Sequence, residues 1–226
     1  VEQWHYNNDG TVDYPNAKAG ADVNLFDAWE LTTGRPDVIV AVVDEGVCYE
    51  HEDLNANMLV NEAERNGQPG VDDDENGYVD DIYGYNFVNG GEITWTRSGD
   101  SGHGTHVAGT VAAVNNNGKG VCGVAGGSGN GDGVRLISCQ IISGGTAAGV
   151  SATAAAVEYA ADNGACVLQN SWGFGAGQIS NDQGFENGST SVEAQAFLYF
   201  MGTKNHPNLD GGIVIFAAGN DGKAVA

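Results

Sequence analysis

Residues 38–43, Val-Ile-Val-Ala-Val-Val, form an unbroken apolar run rich in β-branched side chains. A strand with one wet face would alternate with polar residues, so this run predicts a strand buried on both sides. Similar runs occur at 134–142, 166–169 and 212–218. Helix-compatible segments lie at 103–114, at 146–162 (closed by Asn163-Gly164) and at 191–204, with another at 22–31 ahead of the first strand. Strand alternating with helix predicts an α/β fold: a doubly wound, mostly parallel sheet flanked by helices in three layers. No linker or repeat divides the chain, so residues 1–226 are read as a single domain. Residues 61–101 break the alternation with a polar excursion rich in Gly, Asp and Asn. A loop of that length within a compact domain generally carries a function.

In such folds chemistry gathers beyond the carboxyl ends of the strands. The first run ends in Asp44-Glu45-Gly46, the third in Asn170-Ser171-Trp172-Gly173 and the last in Ala217-Ala218-Gly219-Asn220. His103, between two glycines, opens a helix at the same edge. A carboxylate, an imidazole and an amide at one edge suit nucleophilic acyl transfer. The Asp fixes the imidazole tautomer, the His takes a proton from a nucleophile, and the Asn donates to an oxyanion. Taken singly, each has a structural reading: a buried histidine, a turn-capping Asp, an Asn in a turn.

Asp44-Glu45-Gly46-Val47, His51-Glu52-Asp53-Leu54, Gly102-His103-Gly104-Thr105-His106-Val107-Ala108-Gly109-Thr110, Ser171-Trp172-Gly173 and Ala217-Ala218-Gly219-Asn220 follow in that order. Together they resemble the subtilisin-like serine proteases, the subtilases. The opening Gln3-Trp4-His5-Tyr6-Asn7-Asn8 is similar to the start of a mature subtilase. The resemblance implies a serine endopeptidase with a subtilisin-like α/β/α fold, polypeptide substrates, and a location outside the cell or at its surface. It makes Asp44 and His103 members of the catalytic triad and Asn220 the oxyanion amide. It assigns substrate-backbone binding to Ser171, Trp172 and Gly173, to Gly144 and Gly145, and to Ala218 and Gly219. His106 is read as a buried structural histidine, and His5, His51 and His206 as surface or turn residues.

Two departures stand out. The residue after the triad aspartate is usually Ser or Thr in this family, its hydroxyl supporting the carboxylate; here it is Glu45, expected to turn into solvent, the other reading being that its like charge raises the Asp44 carboxyl. The family's nucleophile lies in a Gly-Thr-Ser motif after the oxyanion asparagine, and no Gly-Thr-Ser or Gly-x-Ser-x-Gly occurs in the sequence. The expectation is therefore that the serine lies in polypeptide outside these residues, in a C-terminal fragment of the same protease. A catalytically silent subtilase-fold module binding peptide or calcium is the other reading.

The excursion carries Val71-Asp72-Asp73-Asp74-Glu75-Asn76-Gly77-Tyr78-Val79-Asp80-Asp81, with six carboxylates in ten residues. Asp72, Asp74 and Asn76 followed by Gly77 match the opening of a calcium loop, with the Tyr78 carbonyl and Asp80 as further ligands. Position twelve is Tyr83 rather than Glu, which excludes an EF-hand. A structural calcium ion is expected there, the plain alternative being a solvated charge run. Eight basic residues against thirty acidic ones, a formal charge of −22, exclude nucleic acid and anionic membrane as expected partners. No apolar run approaches the roughly 18 residues of a membrane span. The four cysteines form no CxxC pair, which argues against a zinc ribbon, and Cys139 and Cys166 fall in strand runs as buried thiols.

Overall fold

A computed structural model of the chain describes residues 3–11, 17–173 and 191–220. Its strands are β1 (Ile39–Glu45), β2 (Gly84–Asn86), β3 (Arg135–Ser143), β4 (Thr146–Ala147), β5 (Val167–Asn170) and β6 (Ile213–Phe216). Its helices are α1 (Leu25–Trp29), α2 (Glu62–Asn66), α3 (His103–Ala112), α4 (Val150–Asp162) and α5 (Ser191–Gly202). The sheet runs β2-β3-β1-β5-β6, every pair on that path being parallel, while β4 folds back antiparallel on β3.

The period of two along β1 sorts the core into two layers. Ala41 and Val43, with Ile137, Cys139, Ile141 and Leu168, face α4 and α5 through Val157, Tyr159, Phe197 and Phe200. Val40 and Val42, with Leu136, face the other way onto Ala108 and Ala112 of α3. Each fully buried valine of β1 contributes roughly 1.5–3 kcal/mol from apolar area removed from water. This is the doubly wound, three-layer arrangement that the uniform apolar runs require. Small residues on α3 follow from its position: Gly104, Ala108 and Ala112, four apart, form the buried stripe lying directly on β1.

Several local features differ from the sequence reading. The excursion contributes the edge strand β2, in which Gly84 (φ 124°) allows a close approach; a Cβ there would strike the Ser138 carbonyl. Residues 146–162 divide into a short strand and a helix. Gly144 and Gly145 adopt φ of 57° and 74°, making a two-residue turn that pairs β4 with β3. His106 lies two residues off the buried stripe of α3 and is exposed, not buried. His206 is buried rather than superficial, with Nε2 3.7 Å from the Asp37 carboxylate. On α5, Phe197 and Phe200 enter the core, whereas Tyr199 is exposed and donates its hydroxyl to Asp162 at 2.6 Å. On β6, which ends the sheet opposite β2 among the described residues, Ile213, Ile215 and Phe216 remain exposed.

Candidate active site

Asp44 is the penultimate residue of β1 and 1% exposed. His103 is the first residue of α3, preceded by Gly102 in the left-handed region at φ 77°, where glycine enters without strain. Gly104 is needed for a different reason: a Cβ there would overlap the backbone carbonyl of Glu45. The two glycines around the imidazole therefore let the chain turn into α3 and let α3 close on the end of β1. Within that contact His103 Nδ1 lies 2.8 Å from Asp44 Oδ1. A neutral ring donating Nδ1–H to the carboxylate has its tautomer fixed, which leaves Nε2 as the acceptor. The His103 side chain is 50% exposed, so a reacting group can reach it.

Asp44 Oδ1 also accepts the Glu45 N–H at 2.7 Å, whereas the buried Oδ2 has no hydrogen-bond partner among the described residues. Burial raises the Asp44 carboxyl above its ordinary value; the bonds from His103 and the Glu45 amide oppose this, and the Glu45 carboxylate adds slightly to it. The Glu45 side chain does not turn into solvent. The β1–β3 register shifts beside Asp44 and Glu45, the skipped residue being Ile141 of β3, and the Glu45 carboxylate is buried against the start of α3. It accepts the His103 N–H at 2.9 Å and the Ser101 N–H at 3.1 Å. A residue expected to be a bystander is thus joined to the pair. A register shift leaves no mark in a single sequence; the departure from Ser or Thr is the local signal at this position.

β5 and β6 bring the remaining candidate residues to the same edge. The Ala217 N–H donates to the Asn170 carbonyl at 2.9 Å, extending the pairing past the ends of both strands. Ala218, Gly219 and Asn220 follow immediately, with Gly219 at φ 78° and the Asn220 side chain exposed. β1 lies between β3 and β5, so Asn220 reaches the edge two strands away from Asp44. Ser171 Oγ accepts from Gln169 Nε2 at 3.1 Å, and Gly173 is exposed beyond it. The Trp172 ring meets Phe216 edge-on, with centroids 5.5 Å apart, and packs on the core. The Gly144 N–H is occupied by Asp100 Oδ1 at 2.6 Å, so of the Gly144-Gly145 turn this amide is already used within the protein.

The acidic loop is tied together by hydrogen bonds from its own amides. Asp72 accepts from the Asn76 and Gly77 amides at 3.0 and 2.7 Å, and Asp80 accepts from the Gly70 amide at 2.8 Å. Asn76 Oδ1 accepts the Tyr78 N–H at 2.7 Å. Short acidic side chains near loop amides satisfy those amides first. The carboxylates that converge are Glu64, Asp74 and Asp81, with oxygens within 4.8 Å of one another. Glu64 comes from α2, outside the motif, and is buried; it also accepts the Asp73 and Asp80 amides at 2.7 and 2.8 Å. Asp81, also buried, accepts the Tyr159 hydroxyl at 2.7 Å, and burial raises its carboxyl above the usual range. Asp53 has its carboxylate taken up by Asn117 Nδ2 and the Val121 amide at 2.6 and 2.9 Å, and the neighbouring Lys119 pairs with Glu52. All four cysteines are free, with Cys139 and Cys166 buried.

Comparison with known proteins agrees with this architecture. The Peptidase S8 model, described as the subtilase family, matches residues 35–226. Over 115 residues the chain is 44% identical to subtilisin-like protease 1 of Plasmodium berghei, covering 50% of this chain and 19% of that protein. It is 33% identical over 251 aligned residues to an extracellular protease of Xanthomonas campestris, covering 100% of this chain and 34% of that protein. The chain thus spans well under half the length of these relatives. The Aeromonas sobria serine protease, solved in complex with a chaperone, shares the fold at a TM-score of 0.66 and 24% identity, covering 96% of this chain and 31% of that one. Because the family match takes in the strand carrying Asp44, the helix carrying His103 and the turn carrying Asn220, the chain belongs to the subtilase family.

Proposed function

We propose that the protein is an extracellular serine endopeptidase in which His103 is the general base, Asp44 its orienting partner and Asn220 an oxyanion donor. The observation that carries the reading is the 2.8 Å contact between His103 Nδ1 and the buried Asp44 carboxylate, with the ring half exposed at the carboxyl edge of the sheet. In this role His103 Nε2 takes the proton from the attacking hydroxyl and returns it to the leaving amine. The negative Asp44 stabilises the imidazolium that forms between the two steps. Substrate backbone lies in extended form along residues 171–173 and beside Gly145, and is held by strand-like pairing. The nucleophilic serine comes from polypeptide beyond these 226 residues, because no Gly-Thr-Ser occurs among them. A silent binding module has no need of an aligned, accessible imidazole–carboxylate pair.

The same proposal includes a structural calcium ion, held by Glu64, Asp74 and Asp81 in place of the Asp72, Asp74, Asn76, Tyr78 and Asp80 set. Three carboxylates with oxygens this close, two of them buried, offer the hard oxygen donors that calcium takes. The ion contributes charge neutralisation and loop rigidity, and no catalytic step passes through it.

A fluorophosphonate probe on the complete protease tests the catalytic reading. One serine is labelled in the wild type and none at a comparable rate in His103→Ala. Absence of labelling in the wild type refutes the assignment.

A further inference from the structure

We infer that Glu45 is a positioning residue for His103, its buried carboxylate clamping the first amide of α3 to the strand that bears Asp44. The inference rests on the reading of His103 as the general base and adds a residue to that site. Three observations support it. Asp44 and Glu45, the last two residues of β1, both bond to His103 through their side chains, where successive side chains of a regular strand point to opposite faces. The Glu45 carboxylate accepts the His103 N–H at 2.9 Å, while the Ser101 N–H and hydroxyl lie 3.1–3.2 Å from its two oxygens. The cap position of α3 is Gly102, which has no side chain with which to satisfy the helix's leading amides.

A helix N-terminus without its own cap needs an acceptor from elsewhere, and an ionised one makes the stronger bond. Here the acceptor comes from the residue next to Asp44. His103 is therefore held twice from one dipeptide: its ring by the Asp44 side chain, its backbone by the Glu45 side chain. The Glu45 N–H closes the arrangement by donating to the same Asp44 Oδ1 that receives the ring. The arrangement also accounts for the missing Ser or Thr. With no hydroxyl at position 45, Asp44 Oδ2 has no partner among the described residues, and the geometry of the pair is set from the helix side instead.

The test is kcat and KM on a peptide substrate with the complete protease for wild type, Glu45→Ala and Glu45→Gln, normalised to sites titrated to completion with the fluorophosphonate, and for His103→Ala, normalised to total protein. Displacing a reacting group by about 1 Å costs on the order of 10²-fold, so Glu45→Ala is expected to lower kcat per site by ~10–100-fold with KM within about twofold. Glu45→Gln keeps an acceptor oxygen at the same reach and is expected to recover most of that loss. A purely structural role instead leaves fewer titratable sites, each with wild-type kcat, and that result overturns the inference. If Glu45→Ala does not fold, Glu45→Asp replaces it. Its shorter arm cannot reach the His103 amide, so equal kcat for the Asp and Gln variants overturns the inference too. Activity surviving in His103→Ala refutes the reading of the base, whatever Glu45 does.

Discussion

Gly104 and Gly109 lie on the same helix, both buried, yet the structure assigns them opposite responses to one added methyl group. A Cβ on Gly104 falls on the Glu45 carbonyl, far inside contact distance, and that carbonyl is backbone that cannot rotate aside. To accommodate Ala, the start of α3 must retreat from β1 by about an ångström, an overpacking that costs ~1–3 kcal/mol. Alanine gains at most ~1 kcal/mol over glycine in a helix, and less in the first turn, so the clash wins by roughly 1–2 kcal/mol. At Gly109, apart from the helix's own backbone, no atom of the described residues lies within 4 Å of the position a Cβ would take. There the helix preference acts alone, and Gly109→Ala is expected to stabilise by about 0.5–1 kcal/mol. Activity separates the variants further. The retreat carries His103 away from Asp44, so kcat for Gly104→Ala falls on the order of 10²-fold, while Gly109→Ala stays near wild type. Urea unfolding and kcat/KM on the complete protease read both effects. A Gly104→Ala protein as stable and as active as Gly109→Ala would refute the close approach of α3 to β1, and with it the explanation of how the imidazole is placed.

Two further predictions concern charge. Burial raises the Asp44 carboxyl above its ordinary 3.8, so the folded protein holds that proton more tightly than the unfolded chain does. The contribution of Asp44 to stability is therefore greatest when it is protonated and declines as pH rises from about 3.8 through the raised value. Asp44→Asn removes this slope while cutting kcat by about 10⁴-fold through the lost tautomer control. Urea midpoints measured between about pH 3.5 and 7 that run parallel in the two proteins would contradict it. At the acidic loop, calcium at about a hundred times its dissociation constant should stabilise by ~2.7 kcal/mol. Glu64→Gln or Asp81→Asn should abolish the response and Asp80→Asn should retain it, as followed by thermal unfolding with and without chelator. The reverse pattern restores the ligand set read from the motif.

The legible parts of the fold were those whose signal is local. The apolar runs of β1, β3, β5 and β6 mark themselves because strands of a parallel sheet are dominated by apolar residues, with Ser138, Gln140 and Asn170 as buried exceptions, and the order of strands and helices then sets the edge at which Asp44, His103 and Asn220 emerge. β2 escaped notice because three residues in a polar stretch carry no periodicity; its identity depends on pairing with Ser138 to Gln140, fifty-odd residues away. The start of the segment read as one helix at 146–162 was misread for a related reason. Thr146 and Ala147 pair with β3 only because Gly144 and Gly145 reverse the chain there.

Side-chain partners across the fold were the least legible, and the site depends on them. Glu64 precedes the acidic motif by eight residues and joins Asp74 and Asp81 only once α2 and the loop fold together. Unpaired carboxylates are almost never buried, which is consistent with the solvent-facing reading of Glu45. What the sequence hides is that the partners are backbone amides at the head of α3, left without a cap by the same glycine that allows the helix to begin there. Gly102, Gly104 and Glu45 thus answer one another. The first leaves α3 uncapped, the second lets α3 approach β1, and the third supplies from β1 the acceptor that the approach makes reachable. Restoring the family's usual Ser at position 45 alone therefore supports Asp44 at the expense of the helix cap, and full activity would require a capping side chain at position 102, where φ of 77° disfavours every residue but glycine and, to a lesser degree, asparagine or aspartate.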